Sequence, residues 1–352
     1  MGNKLAKKLQ VILDKSIDKK RIFGTSFYIQ HDKFSWIGGS GNLTPDAPFF
    51  IASTTKLFIT ALVLNLQQKG LLKLDDRISK YLPKEVLLDL HTFEGIDYTY
   101  ILNIKNLLAH SSGIPDYFQI KGPSEKSLIH QLLEGNDQSW TPAEAISISK
   151  SMRPLFIPNT VGKAHYSDTN YQLLELIIEK ITGQPLAKLL NQTLFDPLQL
   201  QSTYLYTNPR DNTPSPFYYK DKLLEIPQAM SSFRADGGIV STTKELMQFV
   251  RAFFNGTFFP ESQIAQLAKW NPIFSPLQAG IGIHQFKLPW IFDPVGKIPE
   301  LIGHSGLTGT VAFYSPKEKL YITGTVNQVA HPDLAFKLAI KLIKAIQKGS
   351  NE

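Results

Sequence analysis

The run from Pro48 to Gly70 constrains the fold more than any other stretch of the chain. A short apolar segment, Phe49-Phe50-Ile51, arrives from a Pro-containing loop, and Ser53 follows at once. Leu57 to Leu66 is then apolar except at Thr60 and Asn65, and Lys69-Gly70 closes it. The pattern predicts a helix buried on nearly every side, with a basic last turn and a glycine stop. Such a helix needs other structure packed around it, and its apolar run is too short to cross a bilayer. Within it, Ser53-Thr54-Thr55-Lys56 sets a hydroxyl and an amine one helical turn apart on a shared face. The plain reading of Ser53 is a helix N-cap. The chemical reading rests on the lysine. An amine among apolar groups is costly to keep charged, and a basic amine beside a serine makes that serine a nucleophile.

A chain of 352 residues with 43% apolar and 19% charged content has material for one large domain or two, with a substantial core. The formal net charge of +7 is spread along the sequence, which argues against nucleic acid as a partner and leaves room for an anionic substrate. No cysteine is present, so disulfides, thiolate metal sites and a cysteine nucleophile are excluded. The eight histidines show no metal-ligand spacing, and no metal or other cofactor is expected. Residues 1–21 lack the pattern of a leader. Leu5, Leu9 and Ile12 share one face of a basic helix, expected to pack on its own domain, with weak membrane-surface contact as the alternative. The expected address is the periplasm or cell envelope if a leader was removed, and otherwise the cytoplasm.

On either side of Ser53 the texture alternates. Gly24–Gln30 and Phe34–Gly38 read as a hairpin. Helical periods follow at 104–109, 128–133, 142–152, 169–181 and 185–194, separated by Pro- and Asn-rich loops, and again at 243–254. Strand patterns return at 280–286, 309–314 and 320–326, and an amphipathic helix over 334–347 ends the chain. Strands at both ends and helices between predict a sheet built from both termini with a helical insertion. The expected division is 1–82 with 231–352 as an α/β sheet domain, and 83–230 as a helical lobe. A cleft between the two is the expected ligand site.

Two further segments carry chemistry. Tyr166-Ser167-Asp168-Thr169-Asn170-Tyr171 precedes a long helix, and its plain reading is a helix cap. A Tyr166 phenol beside Lys56 would be easier to deprotonate, and would take a proton from Ser53. Gly303-His304-Ser305-Gly306-Leu307-Thr308-Gly309 reads as an edge strand presenting backbone N–H groups, with His304 supplying a charge that switches near neutral pH.

Together, the S-x-x-K of Ser53 and Lys56, the Y-x-N-like Tyr166–Asp168 and the K-T-G-like His304–Gly306 resemble the penicillin-recognising serine hydrolases. The similarity is greatest to the branch holding class C β-lactamases, DD-carboxypeptidases and related family VIII esterases, the serine peptidase S12 type. Leu107–Tyr117 and Gly237–Thr242 look the same way. The resemblance implies a β-lactamase/transpeptidase-like α/β (α+β) fold, with an antiparallel sheet flanked by helices and an inserted all-helical lobe. It implies that Ser53 is acylated, that Lys56 and Tyr166 share proton handling, and that the backbone N–H groups of Ser53 and Leu307 form an oxyanion hole. Asp168, His304, Ser305 and Gly306 would contact substrate.

Two departures shape the expected chemistry. His304 stands where this branch usually has lysine, which weakens the hold on an anion above about pH 7. Asp168 stands where asparagine is usual; an aspartate accepts hydrogen bonds only, and pairs with Lys56 in a way that keeps the lysine charged and shifts base duty to Tyr166. The expectation is a serine hydrolase acting on an amide or ester, a D-amino acid peptide or β-lactam-like substrate foremost. A slowly deacylating or non-catalytic penicillin-binding protein and a carboxylesterase are the alternatives.

Overall fold

In the computed structural model, which describes residues 2–121, 126–288, 291 and 298–349, eight antiparallel strands form the principal sheet. Across it run Asn271–Phe274, Leu277–Ala279, His284–Phe286, Leu301–Gly306, Thr310–Ser315, Leu320–Thr325, Gly24–His31 and Phe34–Gly41. The two ends of the chain meet where Gly24–His31 pairs with Leu320–Thr325, in register from Ser26↔Thr325 to His31↔Leu320. Residues of alternate parity, Phe27, Ile29, Val311, Phe313 and Ile322, bury one face of the sheet under the terminal helices Gly2–Asp14 and Asp333–Gly349. The basic first helix buries Leu9 and Leu13 there, so its apolar face packs on the protein's own sheet domain.

The opposite face packs against the serine-bearing helix, Thr55–Gln68, and Thr243–Phe254. Eleven of the fourteen residues of Thr55–Gln68 are buried. Each fully buried Leu or Phe contributes about 1.5–3 kcal/mol, which makes this helix the centre of the largest core. It stops as its sequence demands: Gly70 takes φ 71°, its N–H donates to the Gln67 carbonyl, and Leu71 N–H donates to the Leu66 carbonyl.

In residues 83–230 the described helices, Pro142–Lys150 and Thr169–Thr182 the longest, are joined by long loops. The same residues also carry short strands. Tyr204–Leu205 pairs with Ile239–Ser241, which pairs in turn with Phe49–Phe50, so a small sheet ties this region to the entrance of the Ser53 turn. We propose that the chain divides as 1–82 with 231–352 against 83–230, one core running through both parts. The strand expected over 280–286 shortens to His284–Phe286, because Gly282 turns the chain at φ 72°. Asn271–Phe274 and Leu277–Ala279 have no counterpart in the sequence reading. Pro272 and Pro276 argue against strands, and proline is tolerated here because the first of them forms the outer edge of the sheet.

Candidate active site

Ser53 does not cap its helix. It lies in a 3₁₀ turn, Ala52–Thr54, and Thr54 precedes the helix without a side-chain capping bond. Ala52 is held at φ 45°, a conformation unfavourable for a residue with a Cβ. The surroundings impose it. A Cβ at Gly306 would lie 2.2 Å from the Ile51 carbonyl oxygen, so glycine lets the Leu301–Gly306 strand press on this turn. The Thr308 hydroxyl donates to the Phe50 carbonyl at 2.8 Å and fixes the same approach.

Lys56 is fully buried, and its ammonium donates to Ser53 Oγ at 3.3 Å and to the Asp236 carbonyl at 2.5 Å. It is ion-paired with Asp168, Nζ to Oδ1 being 2.6 Å, without a hydrogen bond of good geometry. The Tyr166 and Tyr171 rings flank the ammonium, with centroids at 5.0 and 5.2 Å. Lys56 is therefore ion-paired with Asp168 and not isolated among apolar groups. Two more buried carboxyls stand close by. Asp116 accepts the N–H groups of Phe118 and Asp168 at 3.1 and 3.2 Å. Asp236 accepts the Tyr117 hydroxyl at 2.9 Å and the Gln172 amide at 2.7 Å. Burial pushes both acids far above the ordinary carboxylate range, and the charge of Asp168 adds to the effect. Burial thus disfavours the ionised form of both, and Asp168 is the carboxyl that ion-pairs with Lys56.

Tyr166 enters from the loop before Thr169–Thr182, its hydroxyl oxygen enclosed. Here the structure corrects the expectation of an easily ionised phenol. Burial pushes the Tyr166 pKa well above 10.0 and the Asp168 charge pushes it further. Contact with Ser53 opposes the shift without completing a hydrogen bond of good geometry. The phenol is neutral at rest. His110 stacks on its ring at 4.6 Å and accepts the Ser167 N–H at Nδ1, 3.1 Å.

His304 needs a second correction. It is 1% exposed, and its ring stacks on His284 at 3.9 Å. Burial holds both rings below the ordinary histidine pKa of 6.5, His284 at about 3. His304 is a neutral imidazole and supplies no switchable charge near pH 7. The strand bearing it is also not an edge throughout. Leu301–Gly306 pairs with Thr310–Ser315 up to Gly306↔Thr310, but with His284–Phe286 only up to His284↔Gly303. His304, Ser305 and Gly306 thus overhang their neighbour, a local edge facing the site.

A cavity of ≈ 560 Å³ opens on these groups, and Ser53, Tyr166, Asp168, His304, Ser305, Gly306 and Leu307 all line it. Lys56 lies behind Ser53. The Ser53 and Leu307 N–H groups, expected to hold an oxyanion, have no hydrogen-bond partner among the described residues. The arrangement offers a hydroxyl at the cavity wall, a cation and a phenol to move its proton, and two backbone donors. Sequence reasoning missed Asp116, Asp236, His110 and His284 as its neighbours. Asp116 and His110 lie inside the quoted stretch Leu107–Tyr117, and Asp236 directly precedes Gly237, but nothing in their spacing marks them as groups around Lys56.

Known proteins share this architecture. A family described as "Beta-lactamase" matches residues 9–345. A putative D-alanyl-D-alanine carboxypeptidase of Escherichia coli K12 is 26% identical over 314 residues, covering 80% of this chain and 69% of that protein. Penicillin-binding protein 4* of Bacillus subtilis is 24% identical over 75% of this chain, which spans 56% of that protein's length. Among solved structures, the D-amino acid amidase of Ochrobactrum anthropi SV3 with D-phenylalanine superposes with a TM-score of 0.79 at 21% identity, covering 98% of this chain and 99% of that one. EstCE1, a hydrolase with promiscuous acyltransferase activity, gives 0.78 at 18% identity, with 98% and 99% covered.

Proposed function

The chain belongs to the beta-lactamase family of serine hydrolases, and on that premise we propose that it cleaves an amide or ester through an acyl intermediate on Ser53. The observation that carries this reading is the buried Lys56 ammonium, which hydrogen-bonds Ser53 Oγ and is ion-paired with Asp168. Lys56 hands a proton to Asp168, and the freed amine takes the Ser53 proton as Oγ attacks the substrate carbonyl. The oxyanion is held by the N–H groups of Ser53 and Leu307, each worth about 10²–10³ in rate. Tyr166, a neutral phenol, gives its proton to the leaving nitrogen or oxygen and recovers one from the Lys56 ammonium. Asp168 then returns its proton to Lys56. Water repeats the sequence on the acyl-serine and restores the hydroxyl. His304, Ser305 and Gly306 align the substrate along the overhanging strand.

A fluorophosphonate probe tests the nucleophile. Wild-type protein is expected to be labelled once, on Ser53, and Ser53→Ala not at all. Lys56→Ala and Tyr166→Phe are each expected to slow labelling by at least about 10²-fold while thermal unfolding stays cooperative. Labelling of the alanine variant at the wild-type rate would refute the assignment.

A further inference from the structure

Resting on that acyl-serine reading, we propose that the substrate is an uncharged ester or amide with an apolar group on each side of the scissile bond. The cavity's volume suits a ligand of ordinary small-molecule size, about 300–1,000 Å³ being usual. Its walls come from two separate hydrophobic clusters. Phe118, Ile226 and Met230, all from the helical region, belong to one cluster. Leu277 and Phe286, with Phe336 of the final helix packed on them, belong to the cluster under the sheet. A reaction at Ser53 splits its substrate in two, and each cluster offers an apolar wall to one part.

Charge recognition is missing from the same surface. Among the described lining residues Asp168 is ion-paired with Lys56 at 2.6 Å, Asp236 accepts from Tyr117 and Gln172, and Asp333 and Lys337 form a solvent-exposed pair at 2.5 Å. The two lining histidines are enclosed and neutral. Away from the exposed Lys337, a substrate carboxylate meets no cation among the described lining residues, and a desolvated, unpaired carboxylate is strongly disfavoured. An apolar chain gains instead, by about fourfold in kcat/KM for each methylene buried.

The test compares 4-nitrophenyl acetate, butyrate and hexanoate, and 3-carboxy-4-nitrophenyl hexanoate, each normalised to its rate with hydroxide. We expect kcat/KM to rise at least 30-fold from acetate to hexanoate, and to fall at least 20-fold when the leaving group gains its carboxylate. Ile129 and Leu224 also line the cavity, packed against the cluster of the helical region, and Ile129→Trp and Leu224→Trp are each expected to lower the hexanoate-to-acetate ratio at least tenfold. The two positions are independent, so one misfolded variant does not remove the test. A flat chain-length series, or a carboxylated ester cleaved as well as the neutral one, overturns the inference, provided Ser53→Ala is inactive. If Ser53→Ala cleaves these esters at the wild-type rate, the acyl-serine reading falls, and this inference with it.

Discussion

At the scale of single residues, the site is organised by a deficit of positive charge. Three carboxyls, Asp116, Asp168 and Asp236, surround one ammonium, and only one of them is paired with it. The other two are pushed toward their protonated forms, because ionising them would place further negative charge in a dry interior. Asp116 and Asp236 therefore bind protons in the folded chain that they release when it unfolds. Their folded pKa values lie above the unfolded 3.8, so stability falls as pH rises from about 4 toward the folded value. Asp116→Asn keeps an oxygen for the Phe118 and Asp168 N–H groups and removes the ionisation. Its free energy of unfolding is expected to gain on wild type progressively between pH 5 and 8, by up to about 1.4 kcal/mol per pH unit. A constant difference across that range would show that Asp116 is not held protonated. Tyr166 and His304 follow the same logic of enclosure. Sequence reasoning gave both a titrating role because it knew their neighbours in the motif but not the depth of the pocket around them.

At the scale of elements, the decisive contact is between the Leu301–Gly306 strand and the turn that precedes the Ser53 helix. Glycine at 306 is required because any Cβ there collides with the Ile51 carbonyl, while Ala52 already occupies a strained φ. Gly306→Ala is expected to push the strand and the serine turn apart. Acylation should then fall at least about 10²-fold, with far-ultraviolet circular dichroism unchanged. An unimpaired rate would mean that the strand does not set the position of Ser53. The elements themselves were largely legible. The apolar run of 57–66 and its Lys69-Gly70 close read directly as a buried helix, and 128–133 and 243–254 match their helices at both ends. The strands around Pro272 and Pro276 were not legible, since propensity argues against them and only the position of the outer strand at the sheet edge makes them tolerable. Nor could spacing reveal that His304–Gly306 overhangs a shorter neighbour, because strand register is a property of the pair.

At the scale of the whole molecule, the sheet joins the two ends of the sequence and the helical region supplies Tyr166 and Asp168 to a serine and lysine from the other part. This assembly encloses His110, His284 and His304 as neutral rings. Their folded pKa values lie below the unfolded 6.5, so stability is intact above that pH and is lost as the pH falls toward about 3, the value for His284. Each ring costs about 1.4 kcal/mol per pH unit over its window. Because Asp116 and Asp236 change stability in the opposite sense, the readout is the difference between proteins. In urea titrations His284→Gln is expected to gain on wild type by a margin that widens as the pH falls from 6.5 to 4, and a constant margin would contradict the enclosure. The order of the three motifs and the α/β class were readable from the chain because local pattern carries both. The carboxyls, rings and walls that tune the site come from distant segments, and only the folded chain brings them together. The central claim remains that Ser53 carries the acyl group, and intact-mass spectrometry of protein quenched during turnover of 4-nitrophenyl hexanoate tests it directly. The account predicts one hexanoyl adduct, mapped to Ser53 and absent from Ser53→Ala; turnover by the alanine variant, or an adduct on another residue, would contradict it.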